Sequence, residues 1–278
     1  MLASLIIVFR EAMEAGLIVG IVLAATAGVV GRGRWVAGGI AAGVAGACLV
    51  AAFTAALSDL FDGAGQEVFT AAILCFAVVM LSWHILWMSS HARTMAAELR
   101  EAGRAVALGQ SSLLALAVVV AVAVMREGAE VVLFLYGVAV ASDTSALSLI
   151  GGGVVGLAMA AALSWLLYRG LLTIKLHRLF SVTNALLALL AAGLAGQAAA
   201  VLHGADLLPG WGEQLWDTSW LLADDTLLGR SLHALVGYSA RPSGIQVVAY
   251  LATLAVLVTS ARLIARGAQK SRGMVTAS

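Results

Sequence analysis

The sequence predicts an all-α, polytopic membrane protein with seven transmembrane helices, built as two inverted three-helix repeats followed by a seventh helix. Three observations carry that expectation. The chain is 62% hydrophobic and 11% charged, with a mean hydropathy of +1.01, far from the quarter-charged makeup of soluble domains. Seven apolar runs come close to or exceed the ~20 residues that cross a bilayer as a helix. One charged cluster, Arg-Glu-x-x-Glu, interrupts the first and the fourth run, as Arg10, Glu11 and Glu14 and again as Arg126, Glu127 and Glu130.

Taken in order, the runs lie at about 2–30, 35–57, 67–88, 112–140, 148–168, 179–202 and 245–265. They are rich in Ala, Leu and Val and contain no proline; Pro209 and Pro242 both fall in one loop, so helices rather than a barrel follow. The first run is not read as a secretory signal, because no basic segment precedes it and Arg10 and Glu11 break its apolar stretch. It is expected to remain in the mature protein. The first and fourth runs are kept as spans despite their charges, since residues 15–30 and 113–125 need hydrophobic surroundings. The whole chain, 1–278, is then one transmembrane domain: repeat 1 over about 1–90, repeat 2 over about 112–203, an outer loop over about 204–244 and a tail at 266–278. Residues 91–111 read as an amphipathic cytoplasmic connector, with Ser111 and Ser112 as start signals for the fourth helix. Cys48 and Cys75 both sit inside runs and suggest neither a disulfide framework nor a zinc site. Gly151–Gly153 is not followed by Lys-Ser/Thr, so ATP hydrolysis has no support.

Charge sets the orientation. With odd-numbered loops on one side, that side and the tail hold twelve Lys and Arg residues, against Arg230 and Arg241 on the other. The positive-inside rule then puts the amino terminus outside and the carboxyl terminus in the cytoplasm of an inner-membrane protein. The outer side collects Asp59, Asp62, Glu67, Asp143, Asp206, Glu213, Asp217, Asp224 and Asp225. An acidic face raises the local concentration of cations, although translocation bias alone also removes bases from that side.

The two clusters stand 116 residues apart, separated by an odd number of crossings. The first helix therefore runs inward and the fourth outward, the organisation that places a transport site at a repeat interface near the midplane. Counted from Leu2 and from Val140 at 1.5 Å per residue, all four carboxylates fall about 14–20 Å below the outer surface, near the middle of a ~30 Å core. Glutamates three apart share a helix face, and each arginine lies four residues before a glutamate it can neutralise. Four carboxylates against two guanidinium groups leave a charge that a multivalent cation can compensate. Oxygen donors alone leave Fe(III), Fe(II), Mn(II), Mg(II) and Ca(II) open. Gly16, Gly20 and Gly128 favour close helix approach. The plainer alternative is a set of interhelical salt bridges that fixes register.

The segments Phe9-Arg10-Glu11-Ala12-Met13-Glu14 and Met125-Arg126-Glu127-Gly128-Ala129-Glu130 resemble the motifs of the oxidase-dependent iron permeases (the iron/lead transporter family), which include bacterial EfeU-type ferrous-iron uptake permeases and fungal high-affinity iron permeases. In the first copy Ala12 and Met13 stand where Gly and Leu are commoner in that family. The resemblance extends through Trp87-Met88 and His91, Leu215 to Ser219, Asp224-Asp225, Gly237-Tyr238 and Arg241-Pro242-Ser243. It implies a permease, not an enzyme, that carries iron on Glu11, Glu14, Glu127 and Glu130, with Arg10 and Arg126 as supporting salt-bridge partners. Iron, as Fe2+ or Fe3+, is then the transported substrate, with no permanently bound cofactor. The implied partners are membrane lipid and a separate extracytoplasmic oxidase or iron-binding protein, with no nucleic acid.

Secondary candidates surround this core. Glu67, Asp217, Asp224 and Asp225 are candidates for ion capture on the outer side, and His84, Met88 and His91, at i, i+4 and i+7, for an exit path toward the cytoplasm. Their plainer readings are a helix-dipole acid for Glu67, a lid or belt for the Trp-rich outer loop, and an interfacial aromatic belt around Trp83 and Trp87. Competing functions are a proton-coupled carrier of manganese or lead and an intramembrane metal-oxidising enzyme. The enzyme reading lacks the Glu-x-x-His element usual in di-iron bundles.

Overall fold

The computed structural model describes residues 1–59, 66–141, 145–169, 176–209, 211–212, 214–224 and 226–275. Asp62, Asp143, Lys175, Glu213 and Asp225 lie outside the described residues. The described residues form helices and connections and contain no strand: α1 (Leu2–Ala25), α2 (Arg32–Asp59), α3 (Gln66–Ala107), α4 (Leu113–Ala141), α5 (Ala146–Tyr168), α6 (Leu176–Gly204), α7 (Leu227–Val236) and α8 (Gly244–Val275). Each of the seven apolar runs lies largely within one helix.

Five helices are long and apolar enough to cross a membrane by length and composition: Arg32–Ala56, Glu67–Met88, Ala146–Tyr168, Phe180–Gly204 and Gly244–Ile264. Helices α1 and α4 match them in length but carry three charged residues each. The distribution of polarity is that of a multi-pass membrane protein. Arg10, Glu11, Glu14, Glu127 and Glu130 are buried, while Leu49, Phe53, Val79, Trp83 and Leu157 stand exposed, the reverse of a soluble protein.

Local chemistry explains the boundaries. Ser112 begins α4, its hydroxyl accepting from the Ala115 amide at 3.2 Å. Thr226 caps α7 by accepting from the Gly229 amide at 3.0 Å, and Gly237 ends it at φ 69°, a left-handed conformation natural to glycine. The third apolar run and the connector after it form one helix. From Gln66 to Ala102 the sequence has neither glycine nor proline, so α3 continues for 42 residues into the connector. Its far half turns Leu99 and Val106 onto Ile18 and Val22 of α1.

Small residues bring helices close in two matching pairs. On α5, a Cβ at Gly152 or Gly156 would collide with the backbone of Met1 or of Leu5 on α1. On α2, a Cβ at Gly39 or Gly43 would come within 2.5 Å of Ala117 O or 2.7 Å of Ala121 O on α4. Both are G-x-x-x-G pairs, which let helix backbones approach. Gly16 packs against Ser164 and Gly128 against Ala47, whereas Gly20 faces open space. Two apolar clusters flank the buried charges: Ile7, Leu74, Leu81, Phe134, Leu187 and Leu190 on one side, and Val22, Val36, Leu116 and Val120 on the other.

Outside the bundle, residues 214–224 fold back onto the approach to α8. The Leu215 amide donates to Pro242 O at 3.0 Å, the Thr218 amide to Ala240 O at 3.0 Å, and the Tyr238 hydroxyl to Leu222 O at 2.8 Å. Asp224 accepts from the Ala240 amide at 2.9 and 3.2 Å. An Asp224→Ala substitution leaves that buried amide without its carboxylate, an expected local cost of about 1–2 kcal/mol. Hydrogen exchange at Ala240 is expected to quicken by roughly tenfold, with α1 and α4 unaffected.

Candidate metal centre

Helices α1, α3 and α4 bring the two motifs together. Arg10, wholly buried, binds both glutamates of its own motif: Nη1 donates to Glu11 Oε1 at 2.7 Å, and Nη2 lies 2.8 Å from Glu14 Oε1. The second contact is the i, i+4 pair that helix geometry favours. On α4, Arg126 Nε donates to Glu130 Oε1 at 3.1 Å, the same i, i+4 pairing. The two arginines differ in access, since the side chain of Arg10 is 1% exposed and that of Arg126 is 35%. Arg126 also lies over the Trp87 ring, 4.3 Å from its centroid, in cation–π geometry.

His84 of α3 stands between the motifs, at their level rather than below it. Its Nε2 accepts from Arg10 Nη1 at 2.6 Å and lies 3.6 Å from Glu11 Oε2 and 3.7 Å from Glu14 Oε2. Its Nδ1 is in direct contact with Glu130 Oε2. The imidazole ring meets Phe134 edge-on, with centroids 6.3 Å apart at 86°. Ligand atoms of Glu11, His84, Glu127 and Glu130 all lie within 4.8 Å of one another, and all four residues are buried. A cation with ~2.1 Å bonds sets its ligand atoms about 3–4.2 Å apart, so modest closure makes this group a coordination shell.

The cluster is not electrostatically self-sufficient. Oε2 of Glu11, of Glu14 and of Glu127 is buried with no hydrogen-bond partner. Buried polar atoms are nearly always satisfied in native structures, and a buried charge without a partner is costly.

The remaining candidates sit elsewhere. His84 is drawn into the cluster, while Met88 is half-buried one turn beyond it. His91 is exposed and stacks on Trp87, with centroids 5.0 Å apart at 9°. Exposure therefore rises along α3 from His84 through Met88 to His91. Trp87 serves as the platform for Arg126 and His91, whereas Trp83 is exposed as a belt residue would be. Glu67 is exposed in the first turn of α3, where an acid complements the helix dipole. Asp217 is exposed, and its oxygens are engaged: Oδ1 accepts from the Ser219 amide at 2.9 Å and hydroxyl at 2.5 Å, and Oδ2 from Arg241 Nε at 3.1 Å. The Ser219 bonds, with Arg241 beside them, hold its carboxyl below the ordinary carboxylate range. Asp217 and Asp224 thus staple the loop that precedes α8. A cavity of about 390 Å³ between α6, α8 and this loop is lined by Leu190, Gly193, Trp216, Tyr238, Gln246 and Tyr250, and no motif residue reaches it.

Comparison with known proteins agrees with the motifs. The model of the iron permease FTR1 family matches residues 1–271. The ferrous iron permease EfeU of Escherichia coli O6:H1 (strain CFT073) is 33% identical over 280 residues, covering 99% of this chain and 100% of that protein. EfeU of Shigella sonnei (strain Ss046) is 33% identical over 278 residues, covering 98% and 99%. A putative inactive EfeU of Escherichia coli K12 is 31% identical over 279 residues, covering 98% and 99%. No solved structure matches. These relatives are named permeases, which are transporters rather than enzymes. With a family model matched from Met1 almost to the carboxyl end and full-length relatives at a third identity, the chain belongs to the FTR1 iron permease family.

Proposed function

We propose that the chain imports iron across the cytoplasmic membrane through a carboxylate site shared by α1 and α4. Glu11, Glu14, Glu127 and Glu130 hold the ion. Arg10 and Arg126 keep these carboxylates ionised and oriented, and act as counter-charges when no metal is bound. The observation that carries this reading is the set of buried oxygens on Glu11, Glu14 and Glu127 that lack a hydrogen-bond partner, beside the convergence of Glu11 of α1 with Glu127 and Glu130 of α4 within 4.8 Å. A multivalent cation supplies what they lack.

In this reading α1 and α4 cross the membrane with the five spans named above, giving seven crossings, the amino terminus outside and the carboxyl terminus in the cytoplasm. The inverted repeat is supported by exchange of partners: α1 packs on α5 through Gly152 and Gly156, as α4 packs on α2 through Gly39 and Gly43. Iron is the substrate, with no resident cofactor, and a separate extracytoplasmic oxidase or iron-binding protein delivers it.

The test is radio-iron flux into liposomes holding the purified chain, with Fe(II) and Fe(III) offered separately. The Glu14→Ala, Glu130→Ala double variant is expected to fall to the rate of empty liposomes at equal protein content. Wild-type flux in that variant would overturn the reading.

A further inference from the structure

His84 is buried among the motif residues, and the four-glutamate site gives it no part in holding the ion. Its two ring nitrogens face different motifs. A guanidinium has donors and no acceptor, so the 2.6 Å contact from Arg10 Nη1 to Nε2 requires Nε2 to present its lone pair. That leaves Nδ1, against Glu130 Oε2, to carry the ring proton. A carboxylate holding one imidazole nitrogen so that the other points its lone pair at a cation is the arrangement that orients metal-binding histidines. In this structure the cation at that lone pair is Arg10, which also binds Glu11 and Glu14. Arg10 thus marks a position where one nitrogen and two carboxylates converge on positive charge, next to buried oxygens that have no other partner.

We propose that His84 is a direct ligand of the transported metal, binding through Nε2 beside Glu11 and Glu14 after Arg10 withdraws, and that it selects borderline divalent transition ions of the Fe(II) class over Mg2+ and Ca2+. The proposal rests on the reading of the glutamates as the transport site. Its chemical ground is the donor set. Carboxylates alone accept hard alkaline-earth ions readily, and one imidazole shifts preference toward Fe, Ni, Cu and Zn. Glu130 then acts as the orienting carboxylate for the ring, with its other oxygen held by Arg126. The edge-on Phe134 helps fix the plane of the imidazole.

Pulsed electron paramagnetic resonance on the full chain, free of any affinity tag and loaded anaerobically with Mn2+, tests this directly. The wild-type protein is expected to show coupling of the metal to a ring nitrogen, retained in His91→Gln and lost in His84→Gln. In competition against bound Mn2+, Fe2+ is expected to displace at least about tenfold less well in His84→Gln than in wild type, while Mg2+ changes by less than about twofold. Absence of nitrogen coupling in the wild type would overturn the proposal whether or not the variant folds. So would an unchanged ratio of Fe2+ to Mg2+ affinity in His84→Gln. If instead a Glu11→Gln, Glu127→Gln chain binds Mn2+ as tightly as wild type, the glutamate reading itself fails.

Discussion

Replacing Arg10 with alanine is expected to remove most of the folded protein from the membrane. The side chain is sealed from solvent and binds Glu11, Glu14 and His84 within 2.8 Å. Its loss leaves two buried carboxylates without their counter-charge. Breaking a buried pair in this way costs about 3–5 kcal/mol, a large share of the ~5–15 kcal/mol that holds a typical domain together. Yield of monodisperse protein and the melting temperature in detergent are the measurements. Arg126→Ala is the internal control, because a side chain that solvent already reaches gives up less. Adding Glu14→Gln to Arg10→Ala removes one orphaned charge and is expected to restore part of the yield. Native yield and melting temperature in Arg10→Ala alone would show that the two glutamates do not depend on it.

Gly156→Val is expected to abolish transport without altering any charged residue. A Cβ at Gly156 would strike Leu5 O and come within 3.0 Å of Phe9 N. Both obstacles are backbone atoms, so no rotamer change relieves them, and α1 must move away from α5. The expected cost lies toward the upper end of the about 1–3 kcal/mol typical of overpacking. The displaced segment ends one residue before Arg10, so the motif moves with it. Iron flux into liposomes reads the functional loss, and the melting temperature reads the structural one. Gly151→Ala, at a position where an added Cβ meets nothing within 4 Å, is expected to match wild type in both.

Much of this arrangement can be read without coordinates. The apolar runs locate the helices because hydrophobic length is a strong constraint. Equal depth of the two motifs follows from rise per residue alone, and the structure brings Glu11, Glu127 and Glu130 within 4.8 Å through His84. The height of His84 is harder to read. Spacing of i, i+4 and i+7 tells which residues share a face of α3, but whether that face meets α1 and α4 at motif height depends on how helices slide past one another. That sliding is set by contacts such as Gly43 on Ala121 and Gly156 on Leu5. The continuation of α3 beyond Met88 did have a signal, the absence of any helix breaker, which the change in polarity at the membrane surface obscures. Asp217 and Asp224 look like free acids in a sequence because their partners, Ser219, Arg241 and Ala240, are found only by folding the loop.

Helix α3 carries His84 on an uninterrupted rod that runs on to Ala107, well past the apolar span Glu67–Met88. About 22 Å separates His84 from Leu99 at 1.5 Å per residue, and neither glycine nor proline lies between them to serve as a hinge. Leu99 is clamped against Ile18 and Val22 in the carboxyl-terminal half of α1, the helix that bears Arg10. Any tilt imposed on the far half of α3 therefore reaches the imidazole as leverage, and the residue that joins the two motifs is mechanically tied to the end of the helix.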